Sequence, residues 1–221
     1  MLSNMIGRKI LVAITGVIML LFVIVHLSGV LSVFIGPDVI NVYARMLRSL
    51  GPLLTLFRVF MALVLILHVT FAVISTLTNR KAKPDRYAVK RFSFSTFAGE
   101  TMICSGLLML VLLICHILQF TLHITPDVVF GVDAQGRFDV FTMMRESLRI
   151  LPISMAYMLF TAALFLHLFH GIRSVSQTVG LINDKTRPLF HIFGITISAL
   201  LLLGYWTILL TALAGVGVFG K

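Results

Sequence analysis

The sequence predicts an all-α integral membrane protein, a bundle of five transmembrane helices with its N-terminus in the cytoplasm. Three observations predict it. Of the 221 residues, 59% are hydrophobic and only 12% charged, with a mean hydropathy of +1.05. The apolar residues fall in runs of about 20 or more, the length that crosses a bilayer. No strand alternation competes with those runs. They cover about 9–33, 53–77, 98–122, 151–179 and 189–214, so that residues 1–221 read as a single membrane domain.

The first run, Ile10 to about Val33, is too long for a signal-peptide core and lacks a clear small-residue cleavage site, which predicts a retained helix. In the connection after it, Pro37 and Gly51-Pro52 bracket VINVYARMLRSL, a candidate interfacial helix. The second connection, NRKAKPDRYAVKR, is strongly basic. In the third run Cys104 and Cys115 are about 16 Å apart along a helix, too far for a mutual disulfide. The connection from His123 to Arg149 is mixed, with Asp127, Asp133, Asp139 and Glu146. Eleven Lys and Arg lie at the N-terminus and in the second and fourth connections (Arg8, Lys9, Arg80, Lys81, Lys83, Arg86, Lys90, Arg91, Arg173, Lys185, Arg187). The opposite side holds six or seven. Short basic loops face the cytoplasm, which places the N-terminus on that side of the membrane. The net charge of +10 therefore belongs at lipid headgroups and not on nucleic acid. No internal repeat supports an inverted-repeat transporter.

Four of the seven histidines, His26, His68, His116 and His167, lie deep inside four different runs. An ionisable ring in hydrocarbon is costly, which makes each a functional candidate. Because the helices alternate in direction at about 1.5 Å per residue, His26 and His116 fall at one level in the outer half. His68 and His167 fall at a second level nearer the cytoplasm. Two such pairs suit two haems, each iron taking one imidazole from each of two helices. Bis-histidine ligation closes both axial positions, so the predicted role is electron transfer. Ala72, Gly171 and Gly29 stand one turn from His68, His167 and His26, where small residues let a macrocycle approach. No C-x-x-C-H occurs, so coordination and packing would hold the haem. His123 and His191 fall at run ends, and His170 is a rival to His167. Arg173, Arg45 and Arg48 are candidate partners for haem propionates, with headgroup contact the alternative.

The residues also resemble a known family, the single-chain dihaem cytochrome b membrane anchor, b558 type, of bacterial succinate dehydrogenases and fumarate reductases. The resemblance spans nearly the whole chain. Its carriers are GRKILVAITG running into HLSG at His26, NVYARMLRSLGP, His68 followed by NRKAKPDRYAVK, TMICSG leading to His116, and HLFHGIRSVSQTVGL around His167.

The resemblance implies two haems b on those four histidines and, on the cytoplasmic face, an iron-sulfur subunit linked to a flavoprotein that carries the dicarboxylate chemistry. It further implies a quinone, menaquinone by likeness, beside the outer haem. Some relatives place a glutamate at the outer start of the second span, whereas between Phe34 and Arg58 the only acid here is Asp38. Asp38, Tyr43 and Glu146 are the candidates at the quinone site, with solvated surface roles as the alternative. Phe165 stands where some relatives carry a carboxylate two residues before the fourth-span ligand. Two other functions compete: a dihaem anchor of a different respiratory dehydrogenase or reductase, and a haem-free transporter.

Overall fold

The computed structural model describes residues 4–82, 97, 99–126, 128 and 131–220. Lys83, Arg86, Lys90, Arg91 and Asp127, named above, lie outside the described residues, as does Lys221, which counts on the opposite side. Seven α-helices are present: α1 Met5–Val30, α2 Pro37–Ser49, α3 Pro52–Ala82, α4 Met102–His116, α5 Val140–Arg149, α6 Leu151–Thr178 and α7 Arg187–Ala214. No strand forms among the described residues; Val132 and Phe138 make one isolated bridge.

Five helical stretches are long and apolar enough to cross a membrane: Met5–Phe34, Pro52–Asn79, Met102–Thr121, Leu151–Thr178 and Arg187–Gly220. Their ends are chemically marked. Asn4 caps α1 by accepting from the Ile6 N–H, and Pro sits at the first turn of α2, α6 and α7, where its missing N–H costs nothing. Gly215 ends α7 in the left-handed conformation at φ 61°. The third stretch is irregular: directly after His116 the α-helix widens into a π-turn over Ile117–Thr121.

Helices α1, α3, α4 and α6 form a four-helix ring in which α1 packs on α3, α4 on α6, and α1 on α6, while α7 lies outside against α6. Thus α1 and α4 face each other across the ring, as do α3 and α6. Trp206 on α7 donates to the Thr161 hydroxyl on α6 at 3.0 Å, a tie that satisfies an indole N–H in apolar surroundings.

One end of the bundle is capped. There α2, the loop 131–139, α5 and the C-terminal 3₁₀ turn Gly217–Gly220 converge on a core that includes Leu27, Val33, Ile40, Phe141, Leu148, Leu209 and Phe219. Asn41 on α2 is the hub of this cap, 2% exposed. Its amide donates to Asp133 Oδ2 at 3.2 Å and Asp139 Oδ1 at 3.0 Å, and its carbonyl accepts from the Phe141 N–H at 3.1 Å. Asp139 also caps α5 through the Thr142 N–H. Burial pushes the Asp133 carboxyl up, but hydrogen bonds from Arg137, Gln135 and Asn41 outweigh it and hold the group below its ordinary pKa. Asp139 is held low by the same balance, its donors being Thr142 and Asn41.

Candidate functional site

The four span histidines meet as two pairs. His26 on α1 and His116 on α4 have ring centroids 5.9 Å apart; His68 on α3 and His167 on α6 are 6.3 Å apart. Each pair therefore joins helices that face each other across the ring. All four rings are half-buried.

The pairs lie at separate levels, and the neighbours of the second pair measure the offset. A Cβ on Gly16 of α1 would lie 3.3 Å from His68 Cε1, and one on Gly106 of α4 would lie 3.2 Å from His167 Cε1. Gly16 is ten residues before His26, and Gly106 ten before His116. Ten helical residues span about 15 Å, so the His26–His116 pair sits toward the capped end and the His68–His167 pair about 15 Å nearer the N-terminal end.

Hydroxyl groups hold the second pair. Thr15 Oγ1 donates to the backbone carbonyl of Leu11 at 2.7 Å, which leaves its oxygen to accept from His68 Nδ1 at 3.0 Å. Ser105 Oγ likewise donates to the Met102 carbonyl at 3.0 Å and accepts from His167 Nδ1 at 3.4 Å. With the proton on Nδ1, the Nε2 lone pair of each ring is free for a metal, the usual outer-shell arrangement for a ligating histidine. Gly16 and Gly106 permit this because a side chain there would crowd the ring edge.

The pair at the capped end is packed by aromatic rings instead. Phe22 lies 5.7 Å from His26 and Tyr205 meets the same ring edge-on at 6.4 Å. Phe120 and Tyr157 flank His116 at 5.6 and 5.8 Å. No side-chain hydrogen bond reaches the His26 or His116 ring among the described residues.

This donor set fits a haem iron. A metal between two imidazoles, with bonds of about 2.0 Å, places the ring centres about 6 Å apart, and both pairs meet that spacing. A bare zinc ion wants four ligands, typically Cys, His or carboxylate, whereas no group of three His, Cys, Asp or Glu forms among the described residues.

The other candidates separate. His170 places its ring against Gly99 at the N-terminal end, where a Cβ would come within 2.7 Å of it, so His167 is the α6 histidine that faces His68. His191 is exposed and packs edge-on against Phe169. Tyr43 reaches the bundle: its phenol lies on Gly29, one turn past His26, at 2.7 Å from where a Cβ would stand. Gly29 thus makes room for this tyrosine. Asp38 pairs with Arg137 at 2.7 Å in the cap, and Glu146 pairs with its neighbour Arg145 at 2.8 Å. Arg45 is exposed on α2, Arg48 stacks its guanidinium 3.7 Å over the Phe138 ring, and Arg173 is half-buried on α6 six residues past His167.

The hydroxyl and glycine positions escaped the sequence reading, although a signal was present. Thr15-Gly16 precedes His26 with nine residues between, and Ser105-Gly106 precedes His116 with the same nine. That shared pattern makes α1 and α4 equivalent across the ring. No family model matches the chain, and no curated protein or solved structure does either; the likeness to b558-type anchors rests on the sequence segments quoted above.

Proposed function

We propose that this protein is the cytochrome b membrane anchor of a succinate:quinone oxidoreductase, a succinate dehydrogenase or quinol:fumarate reductase, carrying electrons between membrane quinone and an iron-sulfur subunit. The observation that carries this reading is the pairing of four histidines from four helices into two couples at metal-ligand spacing, about 15 Å apart along the bundle. Two haems b, held by these four histidines, would supply one-electron transfer.

The chain's own residues do the rest. His26 and His116 hold the group at the capped end, and His68 and His167 the group at the N-terminal end. Thr15 and Ser105 fix the tautomer and orientation of the latter two rings. By the positive-inside bias the N-terminal end faces the cytoplasm, so the flavoprotein and iron-sulfur subunits dock there and the capped end faces outward, beside the quinone. Tyr43, on Gly29, is the sequence candidate that stands beside the capped-end pair.

A reduced-minus-oxidised spectrum of the purified protein with pyridine haemochrome quantitation tests the reading. About two haems b per chain are expected. A colourless preparation that still assembles overturns it, and copurified subunits identify the enzyme the anchor serves.

A further inference from the structure

At the N-terminal end of the bundle α1 and α3 leave a narrow cavity of about 10 Å³, lined by Met5, Arg8 and Lys9 of α1 and by Ser75, Thr78 and Asn79 of α3. That is room for one water-sized group. The apolar run of α1 starts at Ile10 and the second span ends at Asn79. The cavity therefore stands at the level of lipid headgroups.

Its hydroxyls are unevenly satisfied. Thr76 and Thr78 donate to the backbone carbonyls of Ala72 and Ile74 at 2.9 and 2.8 Å, the return bond that a helical hydroxyl commonly makes. Ser75 makes no such bond, and its Oγ is buried without a hydrogen-bond partner among the described residues. A buried hydroxyl left unmet is costly, so the cavity calls for an acceptor beside Ser75.

Charge says which kind. Arg8 and Lys9 both line the cavity, whereas no acid among the described residues does, and the first turn of α1 carries none. Arg8 Nη1 donates to Thr78 Oγ1 at 3.4 Å, which ties the guanidinium to α3 one turn from Ser75. Lys9 is exposed and pairs with no acid among the described residues. A guanidinium fork and an ammonium suit the oxygens of a phosphate, the first as parallel donors and the second as a point charge.

We propose that this α1–α3 cavity seats the phosphodiester of an anionic phospholipid, one non-bridging oxygen accepting from Ser75 Oγ while Arg8 and Lys9 hold the headgroup charge. A single anionic oxygen meets the volume, the unmet hydroxyl and the two cations together. Deeper along the same two helices Ile10, Ile14 and Ile74 are exposed, an apolar surface that acyl chains can cover and free phosphate cannot.

The test is native mass spectrometry of the purified full chain in detergent, titrated with dioleoylphosphatidylglycerol, dioleoylphosphatidylcholine or inorganic phosphate. Tighter retention of phosphatidylglycerol than of phosphatidylcholine is expected, with no adduct from inorganic phosphate. Ser75→Ala, which removes the donor, is expected to weaken phosphatidylglycerol retention about tenfold. Arg8→Gln combined with Lys9→Gln is expected to abolish the preference over phosphatidylcholine. Lys185→Gln, at an exposed basic residue outside the cavity, is expected to change nothing. Equal losses from Ser75→Ala and Lys185→Gln, or none from Ser75→Ala, overturn the site in favour of diffuse surface charge. A phosphate adduct as tight as the lipid's overturns the lipid as its source. Ser75 is seven residues, about 10 Å, beyond His68 on α3, so a shifted spectrum of the His68–His167 haem in Ser75→Ala, with lipid retention unchanged, would give the hydroxyl to a haem carboxylate instead and overturn the proposal. Lipid retention is read without haem, so its failure is separable from failure of the anchor reading.

Discussion

The two histidine pairs are built by different means. The His68–His167 pair is braced by hydrogen bonds, each ring locked to a helix hydroxyl with a glycine beside it. The His26–His116 pair is set in aromatic packing under a cap tied together by Asn41, Asp133 and Asp139. Bracing by hydrogen bonds fixes ring orientation in one geometry. Aromatic packing holds position while leaving the ring edges free of polar partners. The braced pair therefore has its ring orientation set by hydrogen bonds, whereas the pair under the cap relies on packing.

The largest expected effect breaks the pairing itself. His68→Ala or His167→Ala should remove one haem per chain and leave the other's spectrum, and His26→Ala or His116→Ala should do the converse, as read by low-temperature difference spectra. Loss of the same haem from His26→Ala and His68→Ala would refute the two-level arrangement.

Next in size is the cap. Asn41→Ala leaves the buried Phe141 N–H without its partner, at about 1–3 kcal/mol, and takes one of several hydrogen bonds from each of Asp133 and Asp139. Hydrogen exchange over residues 131–149 should rise sharply, with the His68–His167 haem spectrum unchanged. If both haem spectra shift together, the two stations are not independent.

A smaller effect sharpens the contrast in bracing. An accepting hydroxyl on Nδ1 makes the imidazole a better donor and favours the oxidised iron. Thr15→Val should therefore raise the midpoint potential of that haem alone, by up to about 40 mV for a bond of about 1 kcal/mol. Ser105→Ala, whose contact is longer, should raise it less. A redox titration resolving the two haems reads both.

The smallest effect is acid sensitivity. Because Asp133 and Asp139 are held below their ordinary value of 3.8, they add stability to the cap above that pH and lose it as pH falls through their lowered values. Protection factors in the cap should fall only below about pH 4, while those of α3 and α6 stay flat. Loss of protection already near pH 6 would point away from these carboxylates.

Much of this was legible from sequence because the bilayer imposes a one-dimensional rule. Apolar length marks spans such as Pro52–Asn79, and the cost of an imidazole in hydrocarbon makes each span histidine conspicuous. The matched depths of His26 with His116 and of His68 with His167 follow from helical rise alone. Roles for Thr15, Gly16, Ser105 and Gly106 were not legible, since small and hydroxylated residues are common in membrane helices and only a facing ring gives them meaning. Asp38 and Glu146 read alike as acids in connecting segments, yet the fold spends one on Arg137 and leaves the other with Arg145.

By itself, then, the order of residues determined the number of long apolar helices and which histidines stand at a common height, because both depend on distance along a helix. Which face each helix turns inward, and where Tyr43 and Gln119 come to rest, were decided only when the helices packed. Those depend on contacts between segments as far apart as Gln119 and Tyr157 in the chain, and no local periodicity records them.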